Sequence, residues 1–378
     1  MLERFQELTN LLDHVYEQYG VPSCDCIVMQ NRKLLYRHRS GELHDSDAEK
    51  NETYWIYSAT KIATATAAMQ LIEKGKLSLL DPVSKYLPEF ETLTVREKDD
   101  TIRAARSKMT IAHLMTMTGG LDYDLTRPSL VKVRTWPANQ KTTRNIVSTF
   151  VQDPLSFDPG THFQYSLCHD VLGAVIEVVS GQRLCDYMQE HLFAPLGMED
   201  TSFHPSNELK QRLVTPWIYD ENGKMVQDLR TNRYCFSELY DSGGAGLMST
   251  AEDYSQFLSM LSMGGTTKDN AVILQKETIQ QMASPALNAI ALKDFHQRNP
   301  AQSDYSYGLG VRVLIESGEN TPPLGEFGWD GAAGAYALVD MKNHVSVYYA
   351  QQVRSTPNVY SHLHPRLRKA VYQGLSRT

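Results

Sequence analysis

Thr53-Tyr-Trp-Ile-Tyr-Ser-Ala-Thr-Lys-Ile-Ala-Thr-Ala-Thr-Ala-Ala-Met-Gln-Leu-Ile-Glu73 joins a strand-like run, Thr53–Tyr57, to a helix-like one, Lys61–Glu73. At the junction stands Ser58-Ala-Thr-Lys61. A serine and a lysine three residues apart share one helix face. The free N–H groups of a helix start, with their partial positive charge, point at whatever such a serine attacks. A lysine held there is pushed towards its neutral form and can take part in removing the hydroxyl proton. The competing reading is an N-cap serine followed by a solvated lysine. Chance alone supplies about one or two Ser-x-x-Lys matches in a chain of this length. A second is present, Ser129-Leu-Val-Lys132. It follows Pro128 with no strand-like run before it, so Ser129 reads as a loop residue and Ser58 as the candidate nucleophile.

The 378 residues are enough for a large core divided into two lobes or domains. A hydrophobic fraction of 42% with 21% charged residues reads as globular. The formal charge of −7 and the lack of a basic stripe argue against a nucleic-acid partner. No apolar run is long enough to cross a bilayer, so no membrane partner is expected. Leu2, Phe5, Leu8, Leu12, Val15 and Tyr19 recur at helical spacing, an amphipathic helix rather than a secretory signal. The five cysteines, Cys24, Cys26, Cys168, Cys185 and Cys235, form an odd set without the look of a disulfide framework. A cytoplasmic protein is the expectation. Cys24 and Cys26 would face one side of a strand as structural residues. His362 and His364 lack a further ligand at metal spacing and read as surface histidines. No metal and no cofactor are expected, and the partner is a small-molecule substrate.

Ser23–Gln30 and Lys33–Arg39 flank Asn31-Arg32 as in a hairpin. From about residue 81 helical runs alternate with Gly/Pro loops, the clearest being Thr110–Met117, Thr142–Val151, Cys168–Ser180 and Arg183–Leu192. A helix from Thr250 to about Met263 precedes strand-like Gly308–Ile315, Ala333–Val339 and Val345–Gln351, and a last helix covers roughly Tyr360–Leu375. Strand material at both ends with helices between predicts an α+β fold: one antiparallel sheet flanked by helices, with an inserted helical lobe. The expected division is 1–80 plus 240–378 for the sheet domain and 81–239 for the mainly helical domain, with a cleft between them.

Further motifs follow one another in order. They are Gly75-Lys-Leu-Ser-Leu-Leu-Asp-Pro-Val-Ser-Lys-Tyr-Leu-Pro-Glu-Phe90, Leu114-Met-Thr-Met-Thr-Gly-Gly-Leu121, and Phe157-Asp-Pro-Gly160 leading to Tyr165-Ser-Leu167. Then come Pro195-Leu-Gly-Met-Glu-Asp-Thr-Ser-Phe203, Gly243-Gly-Ala-Gly-Leu-Met-Ser-Thr-Ala-Glu-Asp253 and Gly328-Trp-Asp-Gly-Ala332. With Ser58-Ala-Thr-Lys61 they make the chain, from about residue 20 to 352, resemble the serine β-lactamase and penicillin-binding-protein superfamily. The likeness is closer to its class C branch and to the esterases built on the same β-lactamase/transpeptidase-like fold.

The resemblance implies an acyl-enzyme on Ser58, with Lys61 and Tyr165 managing protons and either serving as formal base. A phenol beside a lysine ammonium is expected to ionise more easily. It further implies an oxyanion hole from the backbone amides of Ser58 and Ala332. Trp329-Asp330-Gly331 would line the cleft, Gly331 allowing close approach of substrate to the backbone. Two departures bear on substrate. Leu167 replaces the usual Asn two residues after the tyrosine, and Trp329 replaces the usual Lys or His. Both remove polar handles for an anionic substrate and enlarge an apolar wall. Tyr123 and Asp124, and after the last strand Arg354 and Asn358, are further substrate-binding candidates, solvated loop residues being the competing reading.

The leading expectation is a carboxylesterase on small neutral esters. The same machinery would serve a D-amino-acid amidase or peptidase, a weak β-lactamase or an acyltransferase. A non-catalytic binding protein retaining the fold is the rival of another class.

Overall fold

A computed structural model describes residues 3–41, 51–229, 232–356 and 358–377. The expected hairpin forms from β1 (Ser23–Gln30) and β2 (Lys33–Gly41), paired antiparallel. Asn31 and Arg32 both hold positive φ, 50° and 61°, as a two-residue turn matched to strand twist needs. Five more strands come from the far end of the chain: β3 (Tyr305–Tyr307), β4 (Arg312–Leu314), β5 (Phe327–Asp330), β6 (Tyr336–Asp340) and β7 (Val345–Gln351). They complete a seven-stranded antiparallel sheet in the order β2-β1-β7-β6-β5-β4-β3. The single strand expected over 308–315 is instead the turn and second arm of a hairpin. Gly310 takes a φ of 85°, and the Gly308 N–H bonds the Val311 carbonyl, which reverses the chain.

Alternation along the strands divides the core in two. Val345, Val347 and Tyr349 of β7 pack with α1 (Gln6–Asp13) and with the helix His364–Ser376, while Tyr348 and Ala350 face the helices on the other side. Covered on both faces, the central strands β6 and β7 are buried at every position rather than alternating between buried and exposed. Cys24 and Cys26 of β1 do share one face, both fully buried and unpaired, while Asp25 points the other way and accepts from Arg37 (2.6 Å) and Arg39 (3.2 Å). One expectation fails here. His364 is no surface residue: at 3% exposure it packs among Tyr336, Tyr349 and Tyr360, and its Nε2 lies 3.1 Å from the Gly334 carbonyl.

The helix α2 (Thr60–Glu73) is buried from Thr60 through Leu71. Its Ala and Thr side chains are small enough for neighbours to close on every side, the mark of a central helix. Against it packs α3 (Cys168–Ser180), which ends at Gly181 in the left-handed conformation. The helix α4 (Ala251–Ser262) starts where Thr250 caps the Asp253 N–H at 3.1 Å. Helices are the commonest regular elements between residues 60 and 300. Among the described residues no helix is long and apolar enough to cross a membrane.

Candidate active site

The approach to α2 is bent by design of the backbone. The strand Thr53–Trp55 pairs with Met248–Thr250, and a single 3-10 turn, Tyr57–Ala59, then leads into the helix. Tyr57 holds a φ of 45°, a left-handed conformation that costs a non-glycine residue about 1 kcal/mol or more. The strain turns Ser58 out of the strand direction at the mouth of α2, where it stays partly exposed while its neighbours are buried.

Lys61 is completely buried. Its Nζ donates to the Gly244 carbonyl (2.6 Å) and the Tyr123 hydroxyl (2.8 Å), and lies 3.4 Å from Ser58 Oγ. Burial lowers the amine to about 7, against a smaller opposing pull from the Asp170 carboxylate. Near neutral pH the neutral amine is therefore accessible beside a hydroxyl.

Tyr165 enters from the segment before α3, tied down by two backbone bonds: Gln164 N–H to Met117 O (3.0 Å) and Leu167 N–H to Asp122 O (3.2 Å). The Lys61 Nζ lies 4.6 Å from the Tyr165 ring centroid, and Trp329 Nε1 donates to the phenol oxygen at 2.9 Å. Burial raises the phenol above its ordinary value, outweighing the hydrogen bonds from Ser58 and Trp329 that lower it. The easier ionisation expected beside a lysine is thus reversed by desolvation, and Tyr165 rests as a neutral phenol.

Gly331 crosses closest to this corner. A Cβ there would lie 2.4 Å from the Ile56 carbonyl, so the glycine serves the contact of the β5 end with the segment carrying Ser58. Ala332 follows directly.

The other candidates divide. Tyr123 joins the cluster, bonded to Lys61 and packed on Tyr165 at 5.4 Å between ring centroids. Leu167, 5% exposed, lies in the core at the start of α3, and Trp329, 7% exposed, packs on Tyr165 and Tyr307. Asp330 faces the opposite side of the sheet, as the residue next to Trp329 in a strand must. Its carboxylate is held by Arg312 (2.7 Å) and Gln302 (2.9 Å). The Asp124 carboxylate folds back on the Thr126 N–H (2.9 Å) and stays exposed. Arg354 is committed to Asp228, Nε to carboxylate 2.9 Å, and Asn358 is exposed where the final helical segment starts. Ser129 is buried and hydrogen-bonds Asp153, while Lys132 is exposed, so that Ser-x-x-Lys match assembles no pair.

Sequence reasoning passed over three groups. Tyr234 sets its ring against Tyr57 (6.3 Å) and Tyr123 (5.6 Å). The exposed Arg298 guanidinium stands 5.8 Å from the Tyr165 ring centroid. Asp170 is buried near enough to Lys61 for its carboxylate to act on the amine's charge. Elsewhere Cys185, His204 and Asp241 bring donor atoms within 4.8 Å of one another. Arg183 occupies the Asp241 carboxylate at 2.7 Å, so a cation already balances that acid and the cluster reads as an ion-pair network.

A hydroxyl beside a buried amine whose proton is loosely held, with a neutral phenol in contact with both, can perform acyl transfer. The chain belongs to the beta-lactamase family, whose family model matches residues 8–371. Curated relatives include a lovastatin esterase of Penicillium rubens, 29% identical over 350 residues, 85% of this chain and 86% of the relative. Acyltransferase calJ of Penicillium decumbens is 29% identical over 324 residues, 79% and 75% of the two chains. Among solved structures EstCE1, described as a hydrolase with promiscuous acyltransferase activity, superposes with a TM-score of 0.77 at 25% identity. That alignment covers 98% of this chain and 99% of EstCE1. A simvastatin synthase mutant from Aspergillus terreus, at 23% identity and a TM-score of 0.81, shares the fold over 100% of this chain and 99% of its own. The relatives and neighbours are thus hydrolases and acyltransferases of the β-lactamase/transpeptidase fold.

Proposed function

We propose that the protein is a serine hydrolase acting through an acyl-enzyme on Ser58, with small neutral carboxylic esters as its substrate class. The observation that carries the reading is Lys61: fully buried, 3.4 Å from Ser58 Oγ and poised at about 7. Ser58 Oγ attacks the ester carbonyl and its proton passes to the neutral amine of Lys61. The carbonyl oxygen, now an oxyanion, is held by the amides of Ser58 and Ala332. Collapse breaks the carbonyl–alkoxide bond, and the leaving oxygen takes a proton from the Tyr165 phenol, which Trp329 steadies. Tyr165 recovers a proton from Lys61, and water then repeats the sequence on the acyl-enzyme. The resting charge states favour Lys61 over Tyr165 as first base.

Trp329 and Leu167, at positions where a cation and an amide would hold an anionic substrate, support the neutral-ester assignment. The test is a panel of aryl esters, a D-amino-acid amide and a chromogenic cephalosporin, with intact-protein mass after each. Turnover of the neutral ester should lead, with a mass gain equal to its acyl group lost in Ser58→Ala. Preference for the cephalosporin would refute the ester assignment. In the same assay kcat/KM should rise with pH through about 7, as Lys61 loses its proton.

Gly331→Ala should lower kcat by about one to two decades with a smaller change in KM. Its Cβ would force the β5 end away from Ile56, 2.4 Å off, and displace the Ala332 amide from a charge that develops only in the transition state. A stable variant with wild-type kcat would remove Ala332 from the oxyanion hole.

A further inference from the structure

Asp170 is a buried acid that the chemistry above leaves unused. It is the third residue of α3, where an acid ordinarily faces water and complements the helix dipole. Here it is 1% exposed, and its Oδ1 accepts from the Tyr240 hydroxyl (2.9 Å) and from Ser242 Oγ (2.7 Å). Ser242 opens the turn whose next two carbonyls hold α2. Gly243 O accepts from Thr64 Oγ1 (2.7 Å) and Gly244 O from Lys61 Nζ (2.6 Å). A Cβ on Gly244 would lie 2.6 Å from Asp170 Oδ2 and 2.9 Å from the Tyr123 hydroxyl. The carboxylate, the turn and the phenol that meets Lys61 therefore close around one glycine.

We propose that Asp170 is a positioning residue for proton transfer at Ser58: it fixes the Ser242–Gly244 turn that holds Lys61 and places a negative charge against the amine. The proposal rests on Ser58 and Lys61 being the reacting pair. Lys61 is faced by Tyr123, by Tyr165, and by Cys168, His169 and Asp170 of α3. Asp170 is faced in turn by Tyr240, Cys235 and Tyr123. Burial keeps these phenols and thiols protonated and His169 neutral. Within that shell Asp170 is the group able to carry charge opposite to the ammonium. Burial raises its own carboxyl, opposed by the Ser242 hydroxyl, the Lys61 charge and the Tyr240 hydroxyl. Two buried groups so coupled titrate as a pair. Removing the acid makes Lys61 a weaker base, one that loses its proton at lower pH.

The experiment is the pH dependence of fluorophosphonate labelling of the whole protein, which reads the first covalent step alone. Asp170→Asn keeps the shape and one accepting oxygen but no charge. Its acid limb should move down by about one pH unit or more, and its plateau rate should fall by about tenfold. Tyr240→Phe removes one hydrogen bond to the carboxylate and should move the limb the same way by less. A folded Asp170→Asn that labels more slowly with an unmoved limb would make Asp170 a packing residue and overturn the proposal. If that variant does not fold, an unmoved limb in Tyr240→Phe overturns it. Failure of the underlying reading looks different: labelling would persist in Ser58→Ala.

Discussion

Ser58→Ala should abolish both ester turnover and fluorophosphonate labelling, while Ser129→Ala retains them. The contrast is sharp because both serines stand in the same four-residue pattern. Ser58 sits on a strained turn, with a buried amine 3.4 Å away and its own side chain partly open to solvent. Ser129 is 3% exposed and bonded to Asp153, and its lysine points into water. Losing the Ser58 nucleophile leaves no covalent path, and the remaining positive field supports only a residual rate. Comparable losses in serine hydrolases reach about six decades in kcat. Ser129→Ala should instead cost stability, about 1–3 kcal/mol for a hydrogen bond to a buried-side carboxylate, seen as a lower Tm with kcat unchanged. Full activity in Ser58→Ala would end the acyl-enzyme reading whatever the substrate.

What distinguishes one match from the other in the sequence is local. Strand, turn and apolar helix follow one another around Ser58, and nothing comparable surrounds Ser129. The same local logic made Cys168–Ser180 and Val345–Gln351 legible to the residue. The division of Tyr305–Leu314 into two strands was not, because a Gly-Leu-Gly turn inside an apolar run leaves the alternation almost intact. Asp330 follows the simplest strand rule: with Trp329 turned to Tyr165, its strand neighbour faces the other way, towards Arg312. Asp170 carried a signal, an acid in the first turn of a mainly apolar helix, yet helix-dipole complementarity explains such an acid equally well. Only the fold reveals that it is buried against the Ser242–Gly244 turn, whose last carbonyl holds Lys61. The charge state of Tyr165 lay further out of reach. A neighbouring lysine and burial act in opposite directions on a phenol, and their balance depends on the Trp329, Tyr123 and Tyr307 rings that exclude water.

Lys61→Met and Tyr165→Phe should each lower kcat by about two to four decades, the range for groups that move protons in a transition state. If they act as one relay, the double variant should be scarcely slower than the poorer single; losses that multiply in full would mean two independent roles. Lys61→Met has a second expected effect that separates electrostatics from simple damage. The folded amine sits near 7, below its ordinary 10.5, because burial penalises its charge. Between those values the unfolded chain binds a proton that the native state does not, so native stability rises with pH across that window. Below about 7 both states are protonated and the full penalty, on the order of a few kcal/mol, is present. Methionine of similar length removes the penalty but leaves Gly244 O and the Tyr123 hydroxyl without their partner at every pH. The Tm of Lys61→Met relative to the wild type should therefore be higher at pH 6 than near pH 10, whatever its offset. A difference independent of pH would place the native amine at its ordinary value, and with it would go the argument that Lys61 is neutral enough to take the Ser58 proton.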